Sequence, residues 1–195
     1  MESQGPLTGQ FSDESSVGTA VWGSVSNAAS NNSSYASATL NLTDNSTHYL
    51  AMDTVGFSVP TDATITGVVV SVNKYQSAGV GDSAVTDNSV RLFTSFSPSG
   101  NEKATGDAWP ETDDDEYISY GGPTDLWGLS LTPSDINTAG FGVGISAIAT
   151  IAILDDVASV DHVRMTVFYE PATPTPTIQS STSGVITGFF SQPII

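Results

Sequence analysis

Two stretches of the chain alternate between apolar and polar side chains with the two-residue period of a β-strand. In residues 65–73 this period places on one face Val68, Val70 and Val72. In residues 160–169 the same period gives two faces. One face has Val163, Met165, Val167 and Tyr169, and the other has His162, Arg164 and Thr166. Both stretches are therefore predicted to be strands with one face turned to a hydrophobic core.

Weaker patterns of the same kind recur between Trp22 and Tyr169. They predict further strands at residues 37–42, 49–57, 89–96 and 116–120. Residues 141–154 are predicted to form either two strands of a hairpin or one long bent strand. Turn sequences separate these stretches at residues 60–62, 97–101 and 121–123. Thr132 as an N-cap and Pro133 as the first helical residue predict a single helical turn.

About eight short strands at this spacing favour an all-β fold, a two-sheet antiparallel β-sandwich, and we expect it to be a jelly roll. The sandwich is predicted to span residues 21–170, with extended arms on both sides. Residues 1–20 are polar and rich in glycine, and predict a flexible N-terminal arm. Residues 171–177 alternate Pro and Thr and predict a stiff, polyproline-like linker.

Beyond this linker, residues 178–195 contain seven large apolar residues. Their large apolar residues are Ile178, Val185, Ile186, Phe189, Phe190, Ile194 and Ile195. An exposed segment of this kind is a liability unless another surface covers it. We predict that it docks on a neighbouring subunit or a larger assembly, and folding back onto its own domain is the alternative.

The charge balance excludes two classes of partner. Lys and Arg total 4 against 21 Asp and Glu, which gives a formal net charge of −17. Nucleic acids and anionic membranes are bound through clustered cations, and this chain has too few cations to form a cluster. The chain also has no cysteine, so a disulfide, a thiolate nucleophile and a zinc-thiolate site are all excluded.

No targeting or membrane segment is expected. The N-terminal residues show neither the basic start nor the apolar run of a signal peptide. The longest apolar stretch, residues 141–154, is shorter than the about 20 residues that span a bilayer. We therefore expect synthesis in the cytoplasm without signal-peptide secretion.

No catalytic residue is predicted. The two histidines are His48 and His162, and the chain contains no Gly-x-Ser-x-Gly nucleophile turn. Within a strand, Asp161 and His162 would point to opposite faces and could not pair directly.

The densest charge run is Asp113-Asp114-Asp115-Glu116. We interpret this run as a solvated loop. A calcium site is the alternative, because calcium prefers oxygen ligands, although no EF-hand pattern is present. Two smaller oxygen clusters are interpreted as turn residues: Asp82 with Asp87 and Asn88, and Asp155 with Asp156. No other cofactor is expected.

The three tryptophans divide into two groups. Trp22 and Trp127 stand beside small residues and are predicted to lie in the core. Trp109 precedes a proline and adjoins the acidic run, so we predict that it is exposed. An exposed indole ring there could stack on a ligand such as a glycan.

An ordered series of motifs covers roughly residues 20–170. It includes Ser26-Asn27-Ala28, Phe57-Ser58-Val59-Pro60-Thr61-Asp62, Asp87-Asn88-Ser89-Val90, Tyr120-Gly121-Gly122-Pro123-Thr124-Asp125, Thr132-Pro133-Ser134-Asp135-Ile136 and Val160-Asp161-His162-Val163. The series resembles a β-sandwich module of tailed-phage and prophage virion proteins. The resemblance implies a structural or binding role on the virion surface, and it brings no catalytic residues with it.

The resemblance and the apolar C-terminal segment together predict a non-enzymatic virion structural protein. Capsid decoration is favoured over a tail fibre because the chain is short and has no fibrous repeat. The expected partners are other copies of the chain, as a homotrimer, and virion proteins such as the major capsid protein. The alternative is a carbohydrate-binding module or the receptor-binding part of a tail fibre, and a hydrolase is a third, weaker reading.

Overall fold

The computed structural model describes residues 1–77, 83–150 and 155–173. Within these ranges the backbone forms a 3₁₀ turn (Val25–Ala28), a short helix α1 (Pro133–Ile136) and ten strands. The strands are β1 (Glu2–Leu7), β2 (Gln10–Glu14), β3 (Ala36–Leu40), β4 (Tyr49–Asp53), β5 (Thr64–Ser77), β6 (Val85–Thr94), β7 (Ser97–Ser99), β8 (Tyr117–Gly122), β9 (Gly142–Ala149) and β10 (Asp156–Glu170).

The ten described strands form two antiparallel sheets. Sheet A has the order β1-β10-β5-β8, and β3 pairs with the first part of β10 on the same edge that β1 occupies further along. Sheet B has the order β2-β4-β9-β6-β7. The two sheets share one hydrophobic core, so the predicted all-β antiparallel sandwich is confirmed.

The core is built by the alternation that the sequence shows. On β5, Val68, Val70 and Val72 are fully buried. The inward residues of the neighbouring strand β10 are buried as well. Outward residues of β10, such as Arg164 and Thr166, are only half-buried. Trp22 and Trp127 lie in this core as predicted, where each indole N–H donates to a backbone carbonyl.

The prediction of a flexible arm over residues 1–20 is wrong. Strand β1 pairs with β10, and β2 pairs with β4, so both strands extend the sheets. Each carries a single apolar residue that packs on the core, Leu7 in β1 and Phe11 in β2. Pairing is favoured because the edges of β10 and β4 would otherwise leave backbone groups without partners.

The remaining elements match the predictions with small shifts. Strands β3, β4, β6 and β8 lie where strands are expected, within a few residues. The described part of residues 141–154 is one strand, β9, and not a hairpin. The predicted turn at residues 97–101 contains the short strand β7, which forms a hairpin with β6.

The single helical turn is confirmed as α1. The Thr132 hydroxyl accepts a hydrogen bond from the Asp135 amide, and the Asp135 carboxylate accepts one from the Thr132 amide at 2.9 Å. This reciprocal capping box, with Pro133 in the first turn, explains why the helix begins there.

Two further expectations concern the C-terminal segment and membrane-spanning helices. The predicted docking residues from Ile178 to Ile195 lie outside the described residues, as do linker residues 174–177. In the part of the chain that the structure describes, no helix has the length and hydropathy needed to cross a bilayer.

Candidate functional site

The acidic run occupies the loop between β7 and β8, and its carboxylates bond to different neighbours. Asp113 accepts a hydrogen bond from the Tyr35 hydroxyl. Asp114 accepts one from the Thr112 hydroxyl at 2.7 Å, and Asp115 accepts one from the Asn73 amide at 3.4 Å. Across residues 1–77, 83–150 and 155–173, no three Asp, Glu or His side chains are grouped so as to hold a metal ion. The carboxylates of Asp113, Asp114, Asp115 and Glu116 are therefore not grouped as a metal site among the described residues, and calcium binding there stays a prediction.

The other oxygen clusters of the sequence are also separated. Asp82 lies outside the described residues. Asp87 is a buried residue of β6 and not a turn residue. Asp156 is buried at the start of β10 and accepts a hydrogen bond from the Ser83 hydroxyl.

A small cavity opens beside the acidic loop. It is lined by Asn73, Lys74, Pro110, Thr112, Asp114 and Glu116 and has a volume of about 30 Å³. A cavity needs about 10–15 Å³ to hold one water molecule, whereas ligand pockets measure about 300–1,000 Å³. The cavity therefore has room for water and is too small for a sugar ring.

Trp109 is buried, so the prediction that it is exposed is wrong. Only 2% of its surface is accessible. Its indole N–H donates to Asp87 Oδ1 at 2.8 Å, and its carbonyl accepts from the Gln76 amide at 2.9 Å. The ring is held between β5 and β6, where it gains both a polar partner and apolar surroundings. Trp109 therefore cannot stack on a glycan.

A third buried acid, Asp161, lies at a β-bulge of β10. The bulge falls between Val160 and His162, and the Asp161 side chain is fully buried there. The Asn32 amide N–H donates to Asp161 Oδ1 at 3.3 Å. With its amide nitrogen turned toward the carboxylates, Asn31 donates both to Asp161 and to Asp115 Oδ1, the latter at 3.0 Å. This cluster joins the loop before β3 to the acidic loop.

Tyr35 makes a further link between the same two loops. Its ring packs edge to face against Tyr75 of β5, with ring centres 5.0 Å apart. The hydrogen bond to Asp113, together with burial, raises the pKa of Tyr35 to about 12. The phenol therefore stays protonated and acts as a donor to the acidic loop at neutral pH.

Each histidine bonds to a neighbour on an adjacent segment. His48 Nδ1 lies 2.7 Å from Asp13 Oδ2, and His162 Nδ1 lies 2.7 Å from the Tyr117 hydroxyl. Asp161 and His162 do not pair, as the sequence predicts. Among the described contacts, neither ring bonds to a serine or threonine hydroxyl, so they show no nucleophile–base pair.

One buried polar cluster of the described residues was not predicted from the sequence. It consists of Lys74, Asp87, Trp109 and Tyr120. One signal was present, because the alternation that buries Val70 and Val72 places Lys74 on the same inward face. Its partner Asp87, on sheet B, could not be inferred from the sequence, because the contact depends on how the two sheets face each other.

No protein-family model matches the chain, and no curated protein matches it either.

Proposed function

We propose that the chain is a non-enzymatic structural protein of a tailed-phage virion, displayed on the capsid surface as a decoration protein. In this proposal the sandwich faces solvent, and residues 178–195 dock on neighbouring copies and on the major capsid protein. The acidic composition supports display, because like charge keeps crowded domains soluble and repels nonspecific partners.

The strand order supports the jelly-roll form of the sandwich. Leaving out β1 and β2, sheet A reads β3-β10-β5-β8 and sheet B reads β4-β9-β6-β7. Successive strands thus pass from one sheet to the other except at the β6–β7 hairpin. Eight strands wound in this way correspond to two Greek keys, and jelly rolls of this form are common in viral capsid domains.

The observation that carries the proposal is that the N-terminal segment is part of the sandwich. With β1 and β2 paired in the sheets, these two strands are not available as an attachment arm. The terminal ammonium of Met1 lies 2.9 Å from the Glu170 carboxylate, so the linker leaves the sandwich beside the β1 edge. We therefore assign attachment to residues 171–195 and not to residues 1–20.

The carbohydrate-binding alternative loses its main support. It relied on an exposed Trp109, which is buried, and the cavity beside the acidic loop is too small for a sugar. A glycan would need another surface of the sandwich, so we do not propose this function.

Two experiments test the proposal. The first is immunogold labelling of virions of the phage that carries the gene, with antibodies raised against the sandwich. We expect gold on the heads. Gold on the tails would replace capsid decoration by a tail role, and unlabelled virions that lack the chain by mass spectrometry would overturn the proposal.

The second experiment uses the full chain and a variant of equal length in which Phe189, Phe190, Ile194 and Ile195 are changed to Ser. We expect sedimentation equilibrium to show a trimer for the natural sequence and a monomer for the variant. A matched control changes Thr173, Thr175 and Thr177 of the linker to Ser and should remain trimeric. Equal masses for the natural chain and the apolar-to-Ser variant would contradict docking through this segment.

A further inference from the structure

The interior of the sandwich contains a lysine and an aspartate in direct contact. Lys74 comes from β5 of sheet A and Asp87 from β6 of sheet B, so the pair connects the two sheets. Their side chains are 2% and 0% exposed. Removing both charges from water is costly, so the two groups depend on each other and on the hydrogen bonds around them.

Both carboxylate oxygens of Asp87 are surrounded by donors. Oδ1 accepts from Lys74 Nζ and from the Trp109 indole N–H at 2.8 Å. Oδ2 accepts from the Tyr120 hydroxyl at 2.8 Å and from the Thr105 amide at 3.2 Å. Donors that hold both oxygens of a carboxyl group polarise its carbon, and they stabilise the charge that develops when a nucleophile adds to that carbon.

The Tyr120 hydroxyl contacts both reacting groups. It lies against Lys74 Nζ and also donates to Asp87 Oδ2. Burial, followed by the charge of Asp87, raises the pKa of Tyr120, so the phenol stays protonated. A protonated hydroxyl between an amine and a carboxyl oxygen can take a proton from one while giving its own to the other.

Two aromatic rings and the buried surroundings exclude water from the Lys74 amine. Lys74 Nζ lies 4.4 Å from the centre of the Trp109 ring and 5.2 Å from that of the Tyr120 ring. Burial lowers the pKa of Lys74, although the nearby Asp87 opposes the shift. A neutral amine is the nucleophilic form of lysine.

We propose that Lys74 and Asp87 condense to an isopeptide bond that joins the two sheets covalently. The Nζ–Cγ bond forms and the Cγ–Oδ2 bond breaks. The Lys74 ammonium first gives one proton through the Tyr120 hydroxyl to Oδ2, which leaves a neutral amine beside a neutral carboxyl group. A second proton follows the same path when Nζ adds to Cγ, Oδ2 leaves as one molecule of water, and the third proton stays on the amide nitrogen. Oδ1 stays as the amide oxygen, bonded to the Trp109 indole. The reaction needs no oxidant or reductant, and the summed charge of the pair is zero before and after it.

The chain has a second lysine, and its setting provides an internal comparison. Lys103 Nζ lies 2.6 Å from Asp125 Oδ2, but the two side chains are 27% and 33% exposed. Water competes for both groups of this pair and stabilises their charged forms. The Lys103–Asp125 pair should therefore remain an ordinary ion pair.

The test is mass spectrometry of the full-length natural chain. We expect its intact mass to be lower than the mass of the sequence by one water molecule. Trypsin, which cleaves after Lys and Arg, should fail to cut after Lys74 and should release residues 1–91 as one species, also lighter by one water. A full-length mass that equals the sequence mass would overturn the proposal. An intact mass lower by one water molecule, together with normal cleavage after Lys74, would also overturn the proposal. Such a result would indicate cyclisation at an aspartate and not a lysine cross-link.

Three variants then assign the roles. Lys74→Met should have the full mass of its sequence, whereas Lys103→Met should retain the loss of one water. Tyr120→Phe keeps the ring and removes the hydroxyl, so we expect at least a tenfold smaller cross-linked fraction at equal time after synthesis. Complete condensation in Tyr120→Phe would overturn the proton relay.

Discussion

At the scale of single residues, the two lysine–aspartate pairs should differ greatly in their effect on stability. Lys74→Met removes the proposed cross-link and leaves the fully buried Asp87 without its partner, and the loss of one partner of a buried pair by itself costs about 3–5 kcal/mol. Lys103→Met breaks a pair that water screens, and we expect a loss of about 0–1 kcal/mol. Urea unfolding of the two variants measures the difference, and equal losses would contradict the burial of Lys74.

His162 should make the stability depend on pH. Burial, assisted by the charge of Arg164, lowers the pKa of His162 below its ordinary value of 6.5. Below this pH the unfolded chain binds a proton that the folded chain resists, so the free energy of unfolding falls as the pH falls.

We expect His162→Gln to reduce this fall between about pH 7 and pH 5, because glutamine does not titrate. Unfolding by urea at the two pH values, for the natural chain and the variant, provides the measurement. The variant should lose less stability over this interval than the natural chain does. An identical loss in both would show that His162 does not contribute to the pH dependence.

At the scale of elements, close strand packing should depend on one glycine of β9. A Cβ atom at Gly142 would lie 1.7 Å from the Met52 carbonyl oxygen of β4, so alanine there must push the two paired strands apart. We expect Gly142→Ala to lower the free energy of unfolding by about 3 kcal/mol or more, or to prevent folding. Gly106→Ala is the matched control, because a Cβ there meets nothing within 4 Å.

The two N-terminal strands give a second prediction at this scale. Because β2 pairs with β4 from Gln10 to Glu14, its hydrogen-bonded amides should be protected from solvent. Hydrogen–deuterium exchange followed by mass spectrometry should show slow exchange over residues 10–14 relative to the exposed loop at residues 111–116. Exchange as fast as that of the loop would restore the interpretation of residues 1–20 as a flexible arm.

The elements that could be predicted from sequence are those with several inward apolar residues. Strands β5 and β10 each bury at least three aliphatic side chains at alternate positions, and their patterns are clear. Strands β1 and β2 were missed because each relies on backbone pairing and on one apolar residue. Trp109 was misplaced for a related reason: its neighbours Pro110 and Glu111 are polar or turn-forming, whereas its burial depends on β5 and β6.

The candidate sites show the same division between local and long-range information. The sequence identified the acidic loop, but it could not show that Asp113 and Asp115 bond to Tyr35 and Asn73, which are distant in the chain. It also could not find the contact between Lys74 and Asp87, because that contact depends on how two sheets are stacked. Residues that meet across the sandwich are thus the ones that sequence patterns leave unassigned.

At the scale of the whole molecule, the net charge of −17 opposes association of copies with one another. If trimers form through the apolar residues 178–195, that association must overcome repulsion between acidic sandwiches. Raising the salt concentration from about 0.01 M to about 1 M shortens the screening length from about 30 Å to about 3 Å. We therefore expect salt to shift the full chain from monomer toward trimer in sedimentation equilibrium.

The variant in which the four terminal apolar residues are changed to Ser serves as the control for this titration. This variant carries the same charge as the natural chain, so salt screens the repulsion between its copies equally. It lacks the apolar side chains through which copies of the natural chain would associate. It should stay monomeric at every salt concentration. Dissociation of the natural trimer by salt would instead mean that ion pairs hold the copies together. With 4 cations against 21 acids in each chain, such pairs are few, so we expect association to strengthen with salt.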